Sequence, residues 1–144
     1  MFSTVIITGA SKGYGRVIAE TFARLTEGNM HFVLSGRNAT ELSTLKDEIH
    51  AIRSASTSRT HCEVVPGDIS NTAELNGLAD RLFSSLHFVQ PDGIVKSITF
   101  VNNAGSLGPI TAVGSDAYTS SELTSVINLN VTGCFYLTSE FVRR

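Results

Sequence analysis

The sequence predicts an α/β fold in which a parallel sheet carries helices on both faces. Short apolar runs alternate with longer stretches whose apolar residues recur every three or four positions. The first run, Val5-Ile6-Ile7, passes directly into the glycine-rich stretch Thr8-Gly9-Ala10-Ser11-Lys12-Gly13-Tyr14-Gly15. A buried strand that enters a glycine turn and then a helix points backbone N–H groups at an anion. At 144 residues, 42% hydrophobic and 17% charged, the chain has the composition of one globular domain or part of one.

Thr4 to Thr8 reads as the first strand, and Gly13 to about Glu27 as a helix with Val17, Ile18, Phe22 and Leu25 on its apolar side. Gly28-Asn29 ends that helix with residues that tolerate positive φ. His31 to Ser35 is the second strand. Asn38 caps the second helix, Glu41 sits three residues on as in a capping box, and Leu42, Leu45, Ile49 and Ile52 form the buried stripe. Arg53 to Thr60, rich in Ser and Thr, reads as loop. His61 to Val65 is the third strand, closed by Pro66-Gly67. A third helix starts near Asn71, with Glu74 three residues later and Leu75, Leu78, Leu82 and Leu86 at helical spacing. Gln90 to Gly93 is a turn, Ile98 to Val101 the fourth strand and Gly105 to Gly114 a loop. From about Ser121 a last helix carries Leu123, Val126, Ile127, Val131, Cys134 and Leu137.

This order implies a Rossmann-like, doubly wound sheet with strand order 3-2-1-4, truncated after the fourth strand and its following helix. The fourth strand would then be an unprotected edge, a physical reason to expect a longer parent domain.

A net charge of −2 offers no electrostatic case for nucleic acid or a membrane surface. Secretory-signal and membrane-span patterns are lacking, so a cytoplasmic location is expected. Cys62 and Cys134 have neither CxxC nor metal spacing and read as small buried apolar residues. His31, His50, His61 and His87 form no local ligand cluster, so no metal is expected. There is no Gly-x-Ser-x-Gly elbow.

The candidate site residues fall at the ends of strands. The spacing from Gly9 to Gly15 suits a tight turn with close phosphate approach, although an ordinary glycine-rich connection would use the same letters. After the second strand comes Ser35-Gly36-Arg37-Asn38, with no acid to grip ribose hydroxyls. Arg37, with Lys12, would instead pair a 2′-phosphate, which favours NADP(H) over NAD. Asp68 and Ile69 suit an adenine contact; Asp68 also suits a turn, and the two roles can coexist. Asn102-Asn103-Ala104-Gly105 closes the fourth strand, where paired amides can tie strands together and Ala104-Gly105 admits a close approach. Asn130 shares a helix face with Ile127, Cys134 and Leu137; its amide would bind backbone, a neighbouring loop or an ordered water.

In this order and spacing the motifs resemble the short-chain dehydrogenase/reductase family over essentially the whole chain. Thr8 to Gly15 matches the family's TGxxxGxG, Asp68 its acid after the third strand, Asn102 to Gly105 its NNAG, and Asn130 its helix asparagine. Asn102 to Gly108 and Leu137-Thr138-Ser139 look most like the branch that reduces pterin side-chain ketones in tetrahydrobiopterin synthesis, with diketone reductases nearby. The resemblance implies an NADPH-dependent carbonyl reductase, a pterin or diketone substrate, and a homodimer when intact. It also implies a supporting catalytic role for Asn130. The family's Ser and its Tyr with a Lys four residues on are not in this chain: Tyr14, Tyr118 and Tyr136 are followed at that distance by Ile18, Glu122 and Glu140. The alternative reading is a non-catalytic nucleotide-binding or interaction module.

Overall fold

The structure is a computed structural model that describes residues 1–84, 95–112, 114–116 and 119–144. The elements are β1 (Phe2–Ile7), α1 (Gly13–Leu25), β2 (Asn29–Gly36), α2 (Ala39–Arg53), β3 (Thr60–Pro66), α3 (Leu75–Phe83), β4 (Val95–Val101), α4 (Ser120–Ile127), a π-helical segment (Asn128–Gly133) and α5 (Cys134–Arg143). The strands form one parallel sheet in the order β3-β2-β1-β4, as expected. Leu86, His87, Tyr118 and the Gln90–Gly93 turn lie outside the described residues.

Alternation along the strands divides the core in two. Val5, Ile7, Phe32, Leu34 and Cys62 face α1 and α2, meeting Ala19, Ala23, Leu42, Leu45 and Ile49. Ile6, Val33 and Val65 face the other way, toward Leu75, Leu78, Leu82 and Phe83 of α3 and Leu137 of α5. Phe83, Phe100 and Phe141 pack ring against ring there, with centroids 5.2–5.8 Å apart.

Four local expectations change. In α1 the side against the sheet is Gly15, Ala19 and Ala23, whereas Val17 and Leu25 are exposed. Small residues four apart let the helix lie close to the sheet, while the expected Ile18 and Phe22 pack partly buried beside them. Asn71 does not start a helix: its N–H donates to the Asp68 carbonyl, Glu74 N–H donates to Asn71, and α3 begins at Leu75. The last helix is not uniform, because the π-helical segment breaks it around Asn130. Only Leu137 of its expected apolar residues is buried; Leu123, Ile127 and Val131 are exposed, and Cys134 is half-buried.

Arg53, read as the start of a loop, is instead the buried last residue of α2. Its guanidinium donates to the carbonyls of Ala23 (3.1 Å), Thr26 (2.8 Å) and Gly28 (2.6 Å), and to Thr60 Oγ1 (2.8 Å). These carbonyls end α1, where backbone acceptors lack helical partners and a positive charge is favoured. One side chain thus closes α1 and joins it to α2 and the start of β3. His31 is a buried ionisable group of β2. Burial, with the neighbouring His61 contributing, lowers its pKa from 6.5 to about 4.

Two predictions follow from these buried groups. Arg53→Ala should destabilise the fold by about 2–4 kcal/mol in urea unfolding, because it orphans the buried Ala23 carbonyl and the part-buried carbonyls of Thr26 and Gly28 at once. For His31, the unfolded chain binds a proton below about pH 6.5 and the folded chain only near pH 4. Its contribution to stability is therefore complete above pH 6.5 and falls as the pH drops toward 4. Urea midpoints at pH 7.5 and 5 should differ less in His31→Gln than in the parent.

Candidate functional site

A cavity of about 420 Å³ opens at the carboxyl ends of the strands. The chain leaves β1 for β2 on one side of the sheet and crosses from β3 to β4 on the other, so the two connections diverge there and leave a crevice. From the β1–α1 turn come Gly9, Ser11, Lys12, Gly13 and Tyr14; from the end of β2, Gly36, Arg37 and Asn38; from the turn after β3, Gly67, Asp68 and Ile69; from the end of β4, Asn103, Ala104 and Gly105.

The turn is shaped by missing side chains. Gly9 has φ +66°, and a Cβ there would lie 2.9 Å from Ala104 Cα. A Cβ on Gly15 would lie 2.3 Å from the Gly9 carbonyl oxygen and 2.6 Å from Asn103 Nδ2. The helix therefore starts in contact with the ends of β1 and β4 only because position 15 is bare.

The two helix starts at this edge differ. At α2, Asn38 Oδ1 accepts from the N–H groups of Thr40 (3.1 Å) and Glu41 (3.2 Å), and Glu41 adds a first-turn carboxylate. At α1 the N-cap is Lys12, which makes no side-chain cap, and the first turn holds no acid. The positive end of α1 is left for an anion from outside.

Thr8 and the two asparagines hold the crevice walls together. Thr8 Oγ1 accepts from the N–H groups of Asn103 (3.0 Å) and Ala104 (3.1 Å) and donates to Asn102 Oδ1 (3.2 Å). Asn103 Nδ2 donates to the Thr8 carbonyl at 3.0 Å. Asn102 Nδ2 donates to the Cys134 carbonyl (2.9 Å) and Thr138 Oγ1 (3.1 Å), which fixes α5 to β4. The network joins β1, β4 and α5.

All the expected cofactor-binding residues line the cavity except Ala10 and Gly15, which are buried behind it. The Ala10 N–H donates to the Ser35 carbonyl at 2.8 Å, which ties the turn to β2. Asp68 Oδ1 accepts from the Ser70 N–H (2.9 Å) and Oγ (2.7 Å), so one carboxylate oxygen makes a turn. Asn130 is exposed rather than buried on the face of Leu137, and of the roles open to its amide the structure shows the neighbouring loop: Oδ1 accepts from Ser106 N–H (3.0 Å) and Nδ2 donates to the Ser106 carbonyl (2.6 Å). The π-helical segment turns it toward that loop, out of line with Leu137.

Sequence reasoning missed four lining residues: Gly36, Gly67, Glu41 and Leu129. Glu41 was legible only as a cap; its place in the cavity follows from the short β2–α2 link. Away from the cavity, the parallel register sets His31 opposite His61, with Glu63 two residues further along β3. The ligating atoms of these three residues all lie within 4.8 Å of one another, a cluster that local spacing does not reveal. No helix among the described residues is long and apolar enough to cross a membrane.

This chain is similar to several known proteins. A family model described as short chain dehydrogenase matches residues 3–144. The sepiapterin reductase of Bos taurus is 30% identical over 138 residues, covering 96% of this chain and 49% of the relative. The benzil reductase ((S)-benzoin forming) of Bacillus subtilis is 32% identical over 139 residues, covering 96% and 47%. The chain thus spans about half the length of the curated relatives it matches. A short chain dehydrogenase from Shigella flexneri solved with NADP shares the fold at a TM-score of 0.68 and 23% identity, covering 98% of this chain and 52% of its own.

The turn geometry makes a prediction that separates its glycines. Gly15→Ala should cost roughly 1–3 kcal/mol, because backbone must move. Gly13, at φ +58° with open space around its Cβ position, should cost only about 1 kcal/mol as Gly13→Ala. Urea unfolding of the two variants measures the order.

Proposed function

The chain belongs to the short chain dehydrogenase family, and on that premise we propose that residues 1–144 form the NADP(H)-binding domain of a carbonyl reductase. The observation that carries this reading is the uncapped start of α1, which faces the same cavity as Lys12 and Arg37. The residues suit a doubly charged pyrophosphate with a further phosphate near β2. Gly9 to Gly15 would seat the pyrophosphate on backbone N–H groups. Arg37 and Lys12 would hold the 2′-phosphate, with Asn38 presenting Arg37 by capping α2. The oxygen of Asp68 not used by Ser70 is free for the adenine amino group, and Ile69 offers an apolar wall. Asn103, Ala104 and Gly105 would border the nicotinamide ribose. Bound there, the nicotinamide supplies a hydride for a carbonyl carbon.

Asn130 enters this reading as a support. By gripping Ser106 at both backbone groups it holds the loop that follows the Asn102–Gly105 strand end. Sepiapterin-type reduction of a pterin side-chain ketone is the substrate reading favoured by the bovine relative; the Bacillus relative keeps a diketone as the second. A homodimer would cover the exposed apolar side chains Leu123, Ile127, Val131 and Phe135.

Calorimetry tests the cofactor assignment. The parent should bind NADP+ more tightly than NAD+. Arg37→Ala should weaken NADP+ by about tenfold or more and leave NAD+ nearly unchanged, since a charge-assisted pair contributes about 1.5–3 kcal/mol. Equal affinity for the two nucleotides in the parent would overturn it. Assay of NADPH oxidation with sepiapterin and benzil tests the substrate reading. Residues 1–144 alone should turn over neither, because this stretch holds no Tyr with a Lys four positions on.

A further inference from the structure

The strands β2 and β3 bring three metal-binding side chains together away from the cavity. Side chains alternate along a strand, and in register His31 and His61 sit side by side on the sheet face that also bears Val33. Glu63, two residues after His61, projects from that same face. His31 Nε2 lies 3.7 Å from Glu63 Oε2, and the two imidazole ring centroids are 4.9 Å apart. The cluster is at the amino ends of the strands. His31 is five residues from Gly36, which at about 3.3 Å per residue places it roughly 16 Å from the nucleotide cavity.

We propose that His31, His61 and Glu63 form a binding site for a divalent transition-metal ion, with zinc the best fit. Two imidazoles and a carboxylate are a donor set that zinc accepts, with one position left for water. With zinc–ligand distances of about 2.0–2.1 Å, tetrahedral donors stand roughly 3.4 Å apart. The present spread of up to 4.8 Å closes with a shift of about an ångström. The residues able to shift are the ones nearer solvent: His61 is exposed and Glu63 half-exposed, while His31 is buried and fixed. His31 therefore serves as the rigid ligand and the other two close upon it. The ion would cross-link the edge strand β3 to β2, so its role is structural and independent of nucleotide binding.

The competing account is a polar patch that guards an edge strand against pairing with another chain. Titration of chelator-treated, tag-free protein with zinc chloride at pH 7.5 distinguishes the two. Saturable calorimetric binding of one ion per chain is expected, together with a rise in the thermal midpoint. His61→Ala and Glu63→Gln should each weaken binding by about tenfold or more, and His50→Ala, a surface histidine on α2, should leave it unchanged. Cobalt(II) in place of zinc should give the visible absorption of a tetrahedral site. Circular dichroism of the His61 and Glu63 variants checks that they remain folded, as their exposure favours. An absence of saturable binding at millimolar zinc, or equal binding by the parent and the folded His61→Ala/Glu63→Gln double variant, would overturn the proposal.

Discussion

The structure depends on how closely the first helix approaches the sheet. With no Cβ at position 15, α1 begins against the Gly9 carbonyl and the Asn103 amide, where any side chain would collide. That approach puts the free N–H groups of the first helical turn at the carboxyl edge of the strands. It also allows Thr8 and Asn103 to bind across the gap between β1 and β4. A helix displaced outward by one methyl group would lose the contact with Asn103 and present its positive end elsewhere. The crevice walls and the placement of the positive end of α1 are two results of one packing constraint.

Charge at the other end of the crevice is balanced rather than simply positive. Arg37 and Lys12 line the cavity together with Glu41, whose carboxylate is held near the start of α2. Asn38 already satisfies the Glu41 N–H, and the helix dipole favours an acid in that first turn. The acid thus stabilises α2 while lowering the positive potential beside Arg37. The net potential at this end is a difference between these effects, so it is set by side-chain placement within the β2–α2 link as much as by the arginine itself.

What could be read from the sequence was what local chemistry determines. The glycine turn, the Asn38 cap and the alternating elements each declare themselves within a few residues, and the strand order follows from general rules of parallel sheets. Most of the expected cofactor contacts reach one cavity for the same reason: they sit at the ends of strands, and parallel strands end together. Arg53 was misread because its partners are carbonyls 25–30 residues earlier, which no pattern of side chains records. The His31, His61 and Glu63 cluster was missed because register, not spacing, creates it. Val17 and Leu25 turn outward because the closest approach falls on the small-residue stripe Gly15, Ala19 and Ala23, with Ile18 and Phe22 packed at its margin.

The wide turn at Asn128–Gly133 has a further consequence for the long final helix. Each residue of an α-helix advances about 100° around the axis, so an inserted residue rotates everything before it relative to everything after it. α5 takes its orientation from Leu137 beneath the sheet and from the grip of Asn102 on Cys134. α4 need not share that phase. The wide turn works as an angular joint, letting one end of the helix answer to the sheet while the other presents a different flank to its surroundings.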